Sequence, residues 1–172
     1  FEVEGRSYPV ELRYRPISEM TIGGSDDDEF DDFEENLPRA VVAAVEECFQ
    51  DAQEKGHPEH ADILVFASTE QEIRELQETL IKHGPRHTEV LPLYARLALA
   101  EQQKIFQPRP GRMIVLATNI AETSLTIDGV RVVIDAGLAR VPRFDPASGM
   151  TRLDTQRISR ASATQRAGRA GR

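Results

Sequence analysis

The sequence predicts an α/β domain built on a mostly parallel sheet, and three observations carry that prediction. The runs Asp62-Ile63-Leu64-Val65-Phe66 and Arg112-Met113-Ile114-Val115-Leu116-Ala117 are short, apolar and read as buried strands. Segments with apolar residues at helical spacing separate such runs, and that alternation implies right-handed crossovers with helices on both faces. Past Ala139 the pattern changes to two strand-like stretches around a turn, which adds a β-hairpin.

Taken in order, Val10-Glu11-Leu12-Arg13-Tyr14 alternates as a strand, and Pro38 opens a helix through Val41 to Phe49. Asp62–Phe66 is a buried strand. Glu70 to Lys82 follows as an amphipathic helix with Ile73, Leu76, Leu80 and Ile81 inward. Thr88 to Tyr94 is the next strand, and Leu97 to Phe106 a short helix ended by Pro108 and Pro110. The strand at Arg112 leads into a short helix capped by Thr118 or Asn119, and Val130 to Asp135 is a further strand. Leu138 to Phe144 and Met150 to Asp154 flank Asp145-Pro146-Ala147-Ser148-Gly149, whose Asp-Pro and Gly make a hairpin turn. Arg140, Arg143 and Arg152 project from this hairpin, with Phe144 and Met150 near its turn. It either covers a sheet edge or meets a ligand.

A length of 172 residues suits one domain with a sizeable core. The net charge of −8 at first argues against nucleic acid, but its distribution does not. Asp26, Asp27, Asp28, Glu29, Asp31, Asp32, Glu34 and Glu35 place eight acidic residues in ten positions, and without them the chain is neutral. This run, within an insert at about 18–36, reads as a mobile solvated loop or as a segment that binds a partner or mimics RNA. Residues 131–172 hold nine arginines against three aspartates, which fits a phosphate-binding face. A single cysteine, Cys48, excludes an internal disulfide and reads as a small core hydrophobe. His57, His60, His83 and His87 complete no metal-ligand spacing, so no metal site is expected in this chain. With no secretory signal and no membrane-spanning run visible, the expectation is a cytoplasmic protein.

Two segments carry chemistry. Gln165-Arg166-Ala167-Gly168-Arg169-Ala170-Gly171-Arg172 follows Ser159 to Thr164, which offers hydroxyl caps and small helix-compatible residues, so a helix is expected to start there and run into it. On a 3.6-residue period Gln165, Arg169 and Arg172 share one face, and Arg166, rotated away, must serve something else. Two aligned guanidinium groups and an amide suit a nucleoside triphosphate, although a solvated basic helix end is equally consistent with the spacing. Glycine at two positions costs a helix stability, which a closely approaching backbone or ligand would explain. The second segment, Thr118 to Gly129, follows a strand, so its first N–H groups sit at the carboxyl edge of the sheet, where open α/β sheets bind ligands. Ser124, Thr126 and Asp128 supply polar groups beyond it. A capped helix alone is a weak signal.

Together, Ala117 to Ile127 and Gln165 to Arg172 resemble motifs V and VI of the DEAH/RHA-type RNA helicases, superfamily 2, in wording most like the bacterial HrpA/HrpB branch. Leu64-Val65-Phe66 resembles the strand of motif IV, Leu93-Tyr94-Ala95-Arg96-Leu97 resembles motif IVa, and Val3 to Glu11 the segment leading into the second RecA-like lobe. Ala67-Ser68-Thr69 departs from the family's usual Leu-Pro-Gly or Leu-Ser-Gly turn. The resemblance implies a RecA-like three-layer sandwich over residues 1–172, a helicase C-terminal lobe with a β-hairpin between motifs V and VI. It implies ATP bound between lobes, with Mg²⁺ held by a first lobe that carries the phosphate loop and DEAH box. Neither of those motifs occurs in this sequence, so an excised second lobe, inactive and monomeric by itself, is the expectation.

The resemblance further implies Arg169 and Arg172 as arginine fingers, with Gln165 positioning the γ-phosphate. Ser124, Thr126 and Asp128 would sense the nucleotide and its ribose. Thr118, Asn119, Arg96 and Arg143 would contact RNA, the hairpin acting as a wedge at the 5′ side of the strand, and movement would be 3′ to 5′. The remaining partners implied are the first RecA-like lobe and the C-terminal domains of the same chain. A DNA-translocating relative and a non-catalytic nucleic-acid-binding module remain as alternatives. A P-loop kinase or Rossmann enzyme is disfavoured by the absent Gly-rich loop.

Overall fold

The computed structural model describes residues 9–16, 31–56 and 62–171, and its framework is a sheet of four parallel strands. These are β1 Asp62–Phe66, β2 Thr88–Leu93, β3 Arg112–Ala117 and β4 Val130–Asp135, in the order β2-β3-β1-β4. The central pair, β1 and β3, runs in register from Ile63↔Ile114 to Phe66↔Ala117. Pro92 lies in β2 at the sheet edge, the position where a proline is tolerated. The acidic residues Asp26 to Glu29, together with His57, His60, Arg172 and the first eight residues, lie outside the described residues.

Strand alternation divides the core into two layers. Ile63, Val65, Ile114 and Leu116 face helices α1 Asp31–Glu54 and α2 Glu70–His83, packing on Val41, Val45, Ile73 and Leu76. Leu64, Phe66, Met113 and Val115 face the other way, onto Ile105, Ala121 and Ile127. Both strand faces are buried, which is why these runs are nearly continuous in apolar residues.

Several expectations are corrected. Val10 to Tyr14 forms no strand: Val10, Leu12 and Tyr14 are exposed, and Arg13 and Arg15 pair with Glu47 and Asp51 on α1. Its alternation comes from those ion pairs and not from sheet burial. The backbone of α1 is helical from Asp31, so Pro38 lies inside the helix and the latter part of the expected acidic loop is helical. Proline removes one hydrogen bond there, and burial of Leu37, Ala40, Val41 and Val45 on the same helix offsets the loss. In α2, Ile73, Leu76 and Leu80 are buried as expected, but Ile81 is 68 % exposed, rotated past the buried stripe. The helix predicted from Leu97 starts at Leu99: α3 is Leu99–Gln103, followed by a 3₁₀ turn Lys104–Phe106.

The Ala67-Ser68-Thr69 departure has a local use. Thr69 Oγ1 accepts the Glu72 N–H at 3.0 Å, and the Glu72 carboxylate accepts the Ser68 N–H at 2.8 Å, a reciprocal cap on α2. Among the described residues, no helix is long and apolar enough to cross a membrane.

Cys48 packs against the α1 layer, partly buried. Burial, then the Glu47 and Asp51 carboxylates, push its thiol up to about 11. Thiolate is the reactive form, so its fraction at pH 8 is roughly 10⁻³. Iodoacetamide at pH 8 is expected to label Cys48 in the folded chain far more slowly than in guanidinium. Equal rates would mean that α1 opens readily.

Candidate functional site

The carboxyl edge of the sheet gathers three of the four residues expected to contact RNA. The Thr118 N–H donates to the Leu93 carbonyl at 3.2 Å, tying the end of β3 to the end of β2. Arg96 is exposed in the turn after β2, and Asn119 is exposed beside Thr118. The helix that follows, α4 Ile120–Thr123, has only four residues, and Asn119 makes no side-chain cap bond. So short a helix has little dipole, and the edge depends on Arg96 and the polar groups of Thr118 and Asn119 for any hold on an anion.

Arg143 is elsewhere, near the tip of the hairpin formed by β5 Leu138–Asp145 and β6 Met150–Arg157. The hairpin is a separate two-stranded sheet, joined to the end of β4 by the Ile158 N–H, which donates to the Gly137 carbonyl at 2.9 Å. Arg143 lies directly opposite Arg152, on the same face as Asp145 and Asp154, with Asp154 at 3.9 Å. The other face presents Arg140, Arg157, Phe144 and Leu153 with no carboxylate, a better match to a polyanion. Asp145 builds the turn: its carboxylate accepts the Ser148 hydroxyl at 2.7 Å and the Ala147 N–H at 3.0 Å, which hold it below the usual carboxylate range.

Motif VI departs from the single-helix expectation. Helix α5 spans Arg160–Ala167, with Ser159 Oγ accepting the Ser162 N–H at 3.1 Å as predicted for its cap. The helix then stops. Gly168 caps it, and Gly171 (φ 71°) turns the chain so that its N–H donates to the Val130 carbonyl at 3.0 Å. Gln165, exposed in the last helical turn, and Arg169, in the turn beyond, therefore do not share a helix face. The glycines serve that turn and impose no cost inside a helix. Arg169 is directed inward: Nη2 donates to the Glu122 carbonyl at 2.5 Å and Nη1 to the Leu125 carbonyl at 3.4 Å.

Arg166, expected to serve something other than the Gln165 face, is 1 % exposed. Its Nε donates to the Glu122 carboxylate at 3.1 Å, and Nη1 to Asp135 at 2.9 Å and to the Leu138 carbonyl at 3.2 Å. The guanidinium lies 4.6 Å from the centre of the Phe66 ring.

The loop from Ser124 to Gly129 runs from the carboxyl edge back to the start of β4. Ser124, Thr126 and Asp128 are exposed along it, while Ile127 is buried and Leu125 half-buried, so alternation directs the polar residues outward. Asp128 reaches a groove of about 580 Å³ at the amino end of the sheet, lined also by Phe106, Arg109, Met113 and Arg131. Ser124 and Thr126 do not line it. Sequence reasoning missed Phe106, which is 52 % exposed. The available signal was an aromatic residue at the end of an amphipathic turn, just before Pro108 and Pro110. Among the described residues, no group of three or more His, Cys, Asp or Glu side chains could hold a metal ion.

Residues 41–172 match the helicase conserved C-terminal domain. The chain belongs to this family. It is 50 % identical over 171 residues to the ATP-dependent RNA helicase HrpA of Escherichia coli (strain K12), covering 99 % of this chain and 12 % of HrpA. It is 46 % identical to the ATP-dependent RNA helicase HrpB of the same organism, covering 98 % of this chain and 18 % of HrpB. A crystal structure of the E. coli DEAH/RHA helicase HrpB superposes with a TM-score of 0.77 at 42 % identity, covering 98 % of this chain and 19 % of that one. The chain thus spans less than a fifth of the length of these relatives. Both the DEAH/RHA resemblance and the α/β fold with a parallel sheet and an added hairpin are borne out.

In this helicase C-terminal domain the left-handed backbone at Gly171 fixes the exit of motif VI. Gly171→Ala is expected to cost roughly 1–2 kcal/mol, because a Cβ is strained at positive φ. Thermal melting of the purified protein reads the loss, and an unchanged melting temperature would show that the turn relaxes freely.

Proposed function

We propose that this domain is the second motor lobe of a cytoplasmic, ATP-dependent RNA helicase, with ATP held between it and a first lobe of the same protein. One observation carries the reading. A single segment, Ala117 to Asp128, starts at the edge that presents Arg96, Thr118 and Asn119, provides the carbonyls that seat Arg169, and ends in the groove beside Phe106. Nucleic acid and nucleotide would be read at the two ends of one continuous strand–helix–loop.

In this reading Phe106 offers a ring face for a base, and Asp128 an acceptor for ribose hydroxyls, with Ser124 and Thr126 along the path toward the phosphates. Arg169 holds two neutral carbonyl acceptors. Charged phosphoryl oxygens form stronger, charge-assisted bonds, so a γ-phosphate can draw the guanidinium from that seat. There Arg169 and Arg172 would stabilise charge developing in the transition state, and Gln165 would orient the phosphoryl group. Magnesium neutralises phosphate charge when bound, and its ligands are assigned to the first lobe, as are the Walker lysine and the DEAH carboxylates. The isolated chain, a monomer, is therefore inactive in ATP hydrolysis.

At the other edge Thr118, Asn119 and Arg96 would hold the backbone of single-stranded RNA, which fixes register without reading sequence. On the hairpin, Arg140, Arg157 and Phe144 supply the face that meets the strand, with Arg143 a lesser contributor because Asp145 and Asp154 share its face.

In the full-length protein, Arg169→Ala is expected to lower kcat about a thousandfold with RNA affinity little changed. Phe106→Ala is expected to raise KM for ATP about tenfold while sparing kcat, the pattern of lost uniform binding. Lost RNA binding with intact ATPase in Arg169→Ala would reassign this face to nucleic acid.

Thr118→Val keeps the side-chain shape and removes the hydroxyl, so RNA-stimulated ATPase should fall while basal turnover survives. Replacing Asp145 to Gly149 by a minimal turn should spare ATPase and slow strand separation. Running both assays with single-stranded RNA and DNA tests the nucleic-acid class. Parent-like unwinding by the shortened hairpin would leave it a structural element.

A further inference from the structure

Arg166 is the only charged or polar side chain among the described residues that is buried, and it touches four elements at once. Its ring contact is with the end of β1, its ion pairs are with Glu122 on α4 and Asp135 at the end of β4, and its remaining bond is to Leu138 at the hairpin base. Glu122 is in turn held three ways. Its carboxylate accepts from Arg166 and from the Ser162 hydroxyl at 2.7 Å, and its carbonyl accepts from Arg169 at 2.5 Å. The four residues of α4 are too few to hold a helical turn by themselves. Its orientation depends on the burial of Ala121 and on these tethers to α5.

Resting on the motor-lobe reading above, we infer that Arg166 is a positioning residue that locks α4 to the Arg169 turn, coupling Thr118 and Asn119 to Arg169 through Glu122. Stability alone is a poor account of the arrangement, since apolar residues of similar volume often replace a buried ion pair without loss. The Arg166 Nη2 group is also buried without a hydrogen-bond partner, a cost that packing alone does not explain. What the planar fork provides is direction. Nε and Nη1 leave the guanidinium at fixed angles toward two carboxylates on different elements, and an ammonium group cannot reproduce that. A displacement of α4 by a strand lying on Thr118 and Asn119 therefore moves the Glu122 carbonyl, and with it one of the two acceptors that hold Arg169.

The test uses the full-length protein, with ATPase measured with and without single-stranded oligoadenylate RNA, and thermal melting of each variant. Arg166→Lys keeps the charge and loses the fork. Glu122→Gln keeps the backbone carbonyl and loses the charge pair. Both are expected to lower RNA-stimulated kcat about tenfold or more, with KM for ATP and RNA affinity within about threefold, so that the stimulation by RNA collapses. Parent-like stimulation in both variants overturns the inference. So does a fall in kcat that merely tracks the fraction of unfolded protein. If Arg166→Lys does not fold, Glu122→Gln decides by itself. Arg169→Ala separates the two levels. If it abolishes turnover while the other variants keep full stimulation, the arginine-finger reading stands and the coupling fails. If it leaves turnover intact, the reading beneath is wrong and the coupling falls with it.

Discussion

The burial of one positive charge organises the half of this domain that carries motifs V and VI. The sheet fixes the strands to one another, but nothing in its ladder determines how α4 and the hairpin base are oriented. A guanidinium withdrawn from water has to be met by opposite charge and hydrogen bonds, or its burial costs several kcal/mol. Glu122, Asp135 and the Leu138 carbonyl meet that need from three separate elements. The three are thereby held to one another. Removing any one would leave the remainder of a buried charge network uncompensated, so this region is constrained more tightly than its short elements suggest.

Parallel topology then explains how one motif reaches both edges of the sheet. Every strand of a parallel sheet ends on the same edge, so Arg96 and Thr118, which follow the paired strands β2 and β3, are brought to one edge of the sheet. The next strand must begin at the opposite edge, so the chain from Ser124 to Gly129 has to cross the domain. Alternation along that crossing buries Ile127 and leaves Thr126 and Asp128 outward. The polar positions of one motif are in this way distributed between the carboxyl edge of the sheet and the groove at its amino end.

The parallel sheet was legible because strands buried on both faces leave unbroken apolar runs, and Ser159 was legible as a cap because a hydroxyl there has an orphan N–H to satisfy. Arg166 was separable from Gln165 by helical period alone. Other features were hidden for physical reasons. Alternation in Val10 to Tyr14 looks like a strand, but its Arg13, which also holds Glu11, pairs with Glu47 and Asp51 on α1. The early start of α1 is masked by Pro38, a residue usually found at the first helical position. The seat of Arg169 could not be read at all, because its acceptors are backbone carbonyls, which every residue carries and no motif spells. Phe106 was indistinguishable from a core aromatic until its exposure was known.

The end of α5 shows why the glycines of motif VI stand where they do. A helix continued through Arg172 would place Arg169 one turn above Gln165, on a single exposed face. It would also carry the chain away from the sheet. Ending at Ala167 instead lets Gly171 adopt a left-handed conformation and return its N–H to Val130, at the start of β4. That bond brings Arg169 over the motif V loop, within reach of the Glu122 and Leu125 carbonyls. The same turn leads the chain toward the amino end of the sheet, where the groove beside Asp128 opens. The left-handed turn at Gly171 thus converts a basic helix end into a turn laid over the motif V loop, between the carboxyl edge and the groove beside Asp128.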